Sequence, residues 1–142
     1  MRRLLPLLLC CLAALPARAE LVVVANPRSG IERLSQDEIV NIYLGRYRLL
    51  ASGIAAEPLD QAYESDARGR FYRLLVNKSL AEVNAYWSRL LFSGKTQPPL
   101  AVGNAEAALQ QVAARPGVLA YVDRTQVDGR VRIVFEFGRP QP

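Results

Sequence analysis

Two amphipathic helical patterns follow each other between residues 65 and 95, and the second contains the only Trp of the chain. In both, apolar residues recur at the spacing that places them on one side of a helix. They are Ala67, Phe71, Leu74 and Leu75 in the first pattern and Leu80, Val83, Trp87, Leu90 and Leu91 in the second. Ser79, with Glu82 shortly after it, is typical of a capping box that begins the second helix. Because two adjacent helices need a large apolar partner surface, we expect the core to form around them.

The first 19 residues have the three parts of a secretory signal peptide. Met1 to Arg3 carries positive charge, and the apolar run from Leu4 to Leu15 is too short to span a bilayer. A small-residue cleavage motif, Ala17 to Ala19, follows. Cleavage after Ala19 is expected to leave residues 20–142 as one domain in the periplasm, with no further apolar run long enough for direct membrane insertion.

The charge and composition argue against several functional classes. The formal charge of +5 includes Arg2, Arg3 and Arg18; without them 15 bases face 13 acids, a net charge of +2 that gives little support for nucleic-acid binding. Residues 20–142 contain no Cys and no His, so disulfides, metal sites and most nucleophilic triads lack their residues. Asp60 is expected to be a solvated surface carboxylate, as are Glu64 and Asp66. We therefore expect no enzyme, no cofactor and no bound metal.

The first half of the predicted domain reads as a strand, a helix and two weak strands. The apolar run from Leu21 to Ala25 predicts a central strand covered on both faces, as in the parallel sheets of α/β proteins. Ser35 and Glu38 form a second capping-box pattern at the start of a helix. The ranges 46–50 and 59–62 are weaker strand candidates.

The second half adds a helix and two strands after the central helix pair. Asn104 is expected to cap a helix that ends before Pro116, and residues 118–122 form a strand. Asp128 and Gly129 predict a tight hairpin into a last strand with one buried face and one wet face, at a sheet edge. The order of elements predicts an α/β fold, with a three-layer mixed sheet that is antiparallel at one end.

Two places in the chain could hold an anion. One is the loop from Asn26 to Gly30 after the first strand, which includes Arg28 and Ser29. The other is the start of the helix that follows Ser65, with Arg68 nearby, although Asp66 would repel an anion there. Free backbone N–H groups and the helix dipole favour negative charge at a helix start. Ordinary helix capping explains the same residues.

Four segments, in this order, resemble those of a known family. They are LSQDEIVNIYLG, the pair Arg70 and Phe71, AYWSRLLFSGK and RPGVLAYVD. The chain is similar to small, single-lobe relatives of the phosphate-type periplasmic substrate-binding proteins of ABC transporters. The resemblance implies a single lobe of a type II periplasmic-binding-protein fold, a periplasmic location, inorganic phosphate or a similar oxyanion as ligand, and a membrane transporter as partner.

The chain departs from that family where the ligand is held. The family's loop, Arg-x-Asp-x-Ser-Gly-Thr, falls on residues 61–67, where Ser65 alone is retained and Gln61 replaces the Arg. Arg28 or Arg68 is then the expected source of positive charge. The predicted ligand-binding residues are Asn26, Arg28, Ser29, Gly30, Ser65 and Arg68. The alternative function is a periplasmic protein-interaction or sensor module that has lost ligand binding and regulates a membrane partner.

Overall fold

The computed structural model describes residues 20–94 and 96–138. The predicted signal peptide lies outside the described residues, as do Lys95 and the last four residues. The strands are β1 (Leu21–Ala25), β2 (Glu57–Gln61), β3 (Leu100–Val102), β4 (Val118–Asp123) and β5 (Arg132–Glu136). The helices are α1 (Gln36–Tyr43), α2 (Asp66–Val76), α3 (Leu80–Ser93) and α4 (Ala105–Ala114), and a short 3-10 turn (Arg124–Gln126) follows β4.

The strands form one mixed sheet in the order β3-β2-β4-β1-β5. β2 runs parallel to β3 and β4, whereas β1 runs antiparallel to both of its neighbours, β4 and β5. The carboxyl ends of β2, β3 and β4 therefore meet at one edge of the sheet, which we call the carboxyl edge, together with the amino end of β1. β1 is an interior strand covered on both faces, as predicted, but the expected parallel arrangement is wrong for it because both of its neighbours run antiparallel to it.

Helices cover both faces of the sheet, which confirms the three-layer α/β architecture. Alternate residues of β1 point to opposite faces, and both sets are buried since each faces a helical layer. On one face, α1, α2 and α3 contribute to an aromatic cluster in which the ring of Phe71 stacks on Tyr121 with 3.9 Å between centroids. On the other face, α4 packs through Ala108, Leu109 and Val112.

The helix pair forms as the sequence predicts. Asn77 adopts the left-handed conformation at the end of α2, and the capping box between Ser79 and Glu82 begins α3 directly afterwards. Trp87 lies in the core with 5% of its surface exposed. The apolar stripes are narrower than predicted, since Leu74 and Leu91 at their margins remain half exposed.

β5 lies at the sheet edge as predicted, but its neighbours differ from the prediction. β1 lies between β4 and β5, so the turn near Gly129 does not join a hairpin. A bulge opposite β1 leaves Val134 and Phe135 both buried on the same side of the sheet. Glu136 is also buried and forms an ion pair with Arg124. The predicted pattern of one buried face and one solvent-exposed face in β5 is therefore wrong.

The segment between α1 and β2 is mostly irregular. The range 46–50 forms no strand and makes only an isolated bridge between Leu49 and Ala55, whereas the second weak candidate overlaps β2. Gly117 lies so close to this segment that a Cβ atom on it would be 2.0 Å from the carbonyl oxygen of Ala55. Within residues 20–94 and 96–138, no helix has both the length and the apolar character needed to cross a bilayer.

Candidate functional site

The two predicted anion-binding segments lie at opposite edges of the sheet. Ala25 pairs with Leu119 near the amino end of β4, so the loop that follows β1 is at that edge. Leu21 pairs with Asp123 at the other end of β4, beside the carboxyl end of β2 from which the chain leads to Ser65. The six predicted ligand-binding residues therefore do not form a single site, because β1 runs antiparallel to β4.

In the loop after β1, side chains mainly satisfy backbone groups. The amide of Asn26 is buried and donates to the carbonyl oxygens of Val112 and Ala113 at the end of α4, at 2.8 and 3.0 Å. Its Oδ1 accepts from the backbone N–H of Arg28, and the Ser29 hydroxyl accepts from the N–H of Ile31. Gly30 has a positive φ of 76°. These contacts hold the loop and the end of α4 together, while the Arg28 side chain is exposed.

Asp60 lies at the carboxyl end of β2. It is buried, whereas a solvated surface carboxylate was predicted. Its carboxylate accepts hydrogen bonds from the hydroxyl groups of Tyr72 and Tyr121, from the N–H of Gln61 and from Nε of Arg68. Four donors from α2, β4 and β2 itself therefore converge on a single carboxylate. Such saturation is what allows an ionised group to stay inside a protein.

Arg68 is directed into the protein. Its Nε lies 3.1 Å from Oδ2 of Asp60, and Nη2 donates to the side chain of Asn84 at 3.3 Å. The guanidinium carbon lies 4.9 Å from the ring centroid of Tyr63. Because Arg68 points to Asp60 and does not line the cleft at the carboxyl edge, it does not replace the arginine that is missing at position 61.

The tyrosines around Asp60 remain hydrogen-bond donors. Burial is the main reason that the pKa values of Tyr72 and Tyr121 lie far above the usual tyrosine value. The negative charge of Asp60 raises both pKa values further. Burial likewise raises the pKa of Tyr43, whose hydroxyl donates to the carbonyl oxygen of Leu59 at 3.0 Å. All three hydroxyls stay protonated at neutral pH, so they can donate to Asp60 and to the strand beside it.

An open cleft of about 490 Å³ lies at the carboxyl edge. Its lining includes Gln61, Ser65, Ala67, Asn104, Asp123 and Thr125. The Ser65 hydroxyl donates to Oε1 of Gln61 at 3.0 Å, so α2 begins without the side-chain cap that α1 and α3 have. The first turn of α2 can therefore offer its N–H groups to a ligand in the cleft. Asp123 opposes an anion there, although its Oδ1 already accepts from the N–H and the hydroxyl of Thr125.

Solved structures share this fold. An ABC-type phosphate transport receptor from Vibrio cholerae matches 82% of the chain with a TM-score of 0.65 and 14% identity. The chain has the fold of a periplasmic phosphate-binding-protein lobe. A putative phosphate ABC transporter substrate-binding protein from Clostridium perfringens, solved with phosphate bound, has a TM-score of 0.65 and 13% identity over 82% of the chain. PstS from Borrelia burgdorferi matches 87% of the chain with a TM-score of 0.64 and 12% identity.

These matches cover 45%, 44% and 49% of the three solved proteins, so the chain spans about half the length of each. The single-lobe fold that the resemblance implied is confirmed. The solved proteins are transport receptors and binding proteins rather than enzymes. No family model matches the chain, and no curated protein sequence matches it significantly.

Sequence reasoning missed the polar cluster around Asp60 within this fold. No apolar strand pattern marks Asp60, because β2 reads Glu-Pro-Leu-Asp-Gln and Leu59 is its one large apolar residue. The donors come from positions 61 to 121, and nothing in the sequence brings these residues together. Among residues 20–94 and 96–138, no group of three or more His, Cys, Asp or Glu side chains is arranged to hold a metal ion.

Proposed function

We propose that this protein is a periplasmic, non-enzymatic solute-binding lobe that takes phosphate or a similar oxyanion at its carboxyl edge, in association with an ABC transporter. The observation that carries the proposal is the cleft beside the uncapped first turn of α2, in a fold shared with a phosphate-bound protein. Open α/β sheets place their ligands outside the carboxyl ends of their strands. The exported location rests on the tripartite leader of residues 1–19.

At the start of α2, the donors for the anion are the backbone N–H groups of the first turn and the hydroxyl of Ser65. Ser65 must turn away from Gln61 in order to donate to a ligand, since its proton is now directed at Oε1 of Gln61. Asp66 is exposed in the first turn and reduces the affinity for any anion. With a single lobe to exclude water, we expect micromolar affinity at best and a decrease with salt.

Calorimetry with phosphate and with sulfate tests the proposal. Ser65→Ala should weaken binding about tenfold through the loss of one hydrogen bond to a charged group. Asp66→Asn should strengthen binding, because it removes a like charge beside the site. Arg28→Ala is the matched control, since Arg28 is exposed at the opposite edge and its removal should leave binding unchanged.

A second function, a protein-interaction or sensor module, is supported by exposed apolar side chains at the end of α3 and on β3. Phe92 is 95% exposed, and Leu91 and Leu100 are also largely accessible. Such side chains are typical of surfaces that contact other proteins. If millimolar phosphate and sulfate give neither heat nor an increase in thermal stability, the oxyanion proposal fails and this second function takes its place.

A further inference from the structure

A second pocket lies between α2, α3 and the start of β3, and Gln61 lines both this pocket and the carboxyl-edge cleft. The volume of the second pocket is about 260 Å³. Arg68, Asn84 and Trp87 line its polar side, and Leu91, Pro98 and Pro99 line its apolar side. We call it the Trp87 pocket.

Two buried donors in the lining of this pocket have no hydrogen-bond partner among the described residues. They are Nη1 of Arg68 and Nε1 of Trp87. The side chain of Arg68 is 7% exposed, and its other two nitrogens are used by Asp60 and Asn84. Native proteins leave few buried donors unsatisfied, so two in the walls of one pocket indicate a missing acceptor.

Tyr63 covers the guanidinium of Arg68 from the solvent side. Its ring lies over the guanidinium carbon at 4.9 Å, yet 64% of the residue is exposed. Its hydroxyl accepts a hydrogen bond from the amide of Asn84, a contact that water can replace. A ligand that displaces Tyr63 would therefore reach the guanidinium without disturbing the core.

We infer that the Trp87 pocket binds a small monocarboxylate with a short alkyl chain. The carboxylate accepts from Nη1 of Arg68 and Nε1 of Trp87, and the alkyl chain packs on the apolar side. Asp60 also lines this pocket, and its carboxylate is already paired with Arg68 and accepts from three further donors. Because the two remaining donors lie beside an apolar wall, an amphipathic carboxylate fits better than phosphate, which would leave most of its oxygens unpaired.

The indole N–H of Trp87 gives a direct readout, because the chain contains a single Trp. Titration of the purified protein with acetate, propionate and butyrate, followed by ¹H–¹⁵N NMR, should move the one indole resonance downfield as the N–H gains an acceptor. Affinity should increase about fourfold for each added methylene that is buried. Butyramide, which lacks the charge, should bind at least about tenfold more weakly, as expected when a charged hydrogen bond is replaced by a neutral one. No shift with butyrate, equal binding of butyramide, or an equal shift with phosphate would overturn the inference.

Two adjacent residues of α3 provide matched variants. Leu91 lines the pocket and is 52% exposed, whereas Phe92 does not line it and is almost fully exposed. Leu91→Glu should weaken butyrate binding at least about tenfold by charge repulsion, and Phe92→Glu should leave it within about twofold. Both variants should fold, since both positions face solvent. Equal effects of the two substitutions would place the ligand elsewhere.

Trp87→Phe tests the hydrogen bond itself, because it removes the indole N–H and keeps an aromatic ring in the core. Calorimetry of this variant should show butyrate affinity reduced several-fold, with phosphate binding at the carboxyl edge unchanged. Unaltered butyrate affinity in a folded Trp87→Phe protein would contradict a role for Nε1.

Discussion

Nε of Arg68 lies 3.1 Å from Oδ2 of Asp60, and both side chains are at least nine-tenths buried. Removing one member of a buried pair leaves the other charge without compensation. Arg68→Ala should therefore lower the free energy of unfolding by about 3 to 5 kcal/mol, as measured by urea denaturation. The control is Arg115→Ala, because the pair between Arg115 and Glu57 is about half exposed and should contribute at most about 1 kcal/mol. An equal loss in the free energy of unfolding for the two variants would show that burial does not make the ion pair of Arg68 more important for stability than the exposed pair of Arg115.

Trp87 is expected to be essential for stability. It is buried among α1, α2 and α3, and Trp87→Ala should cost about 3 to 5 kcal/mol, which is the range for large-to-small changes in cores. Denaturation followed by far-UV circular dichroism measures this without relying on the lost fluorophore. Phe92→Ala on the same helix should change stability by no more than about 0.5 kcal/mol, since Phe92 is exposed. A Trp87→Ala protein as stable as the native one would contradict the prediction.

Gly117 should not tolerate a side chain. The Cβ of Gly117→Ala would lie 2.0 Å from the carbonyl oxygen of Ala55, so the backbone between α1 and β2 would have to shift. We expect a loss of about 1 to 3 kcal/mol, as for other overpacked sites. Gly129→Ala is the matched control, because no atom lies within 4 Å of the added methyl group. Thermal unfolding of the two variants distinguishes a steric effect at position 117 from a general effect of replacing glycine.

Arg130 should control the acid titration of two exposed carboxylates. Hydrogen bonds from its guanidinium hold the pKa of Glu106 and the pKa of Asp128 below their ordinary values. Carboxylates with lowered pKa values stabilise the folded protein above their unfolded pKa, and this contribution is lost as the pH falls through the folded pKa. In Arg130→Ala, NMR titration of the side-chain carboxyl carbons should show both pKa values raised. Unchanged titration curves would contradict these contacts.

The protein should be processed at the end of its leader. Cleavage after Ala19 would make Glu20 the first residue, and Glu20 accepts a hydrogen bond from Nε of Arg124 at 3.0 Å. N-terminal sequencing of the protein from the periplasmic fraction should begin at Glu20. Recovery of Met1 from that fraction would refute the prediction of a cleaved signal peptide.

The local structure of this protein could be read from its sequence. The capping boxes at Ser35 and Ser79 and the helix pair around Trp87 form as predicted. Each depends on residues close together in the chain, through hydrogen bonds to nearby backbone groups or through helical spacing. The order of elements was also enough to give the three-layer α/β class.

Strand direction and the polar contacts were decided by tertiary structure alone. An apolar run such as Leu21 to Ala25 is buried equally well in a parallel or an antiparallel position, so its composition could not reveal that β1 runs opposite to β4. Because β1 is antiparallel to β4, the loop of Asn26 and Ser65 lie near opposite ends of β4. The sequence likewise predicted Arg68 as a source of positive charge for an anion, and only the packing of α2 against β2 and β4 directs it to Asp60. Burial makes this pairing necessary, because a charged side chain away from water needs a partner, and the turn between β2 and α2 determines whether the two side chains meet.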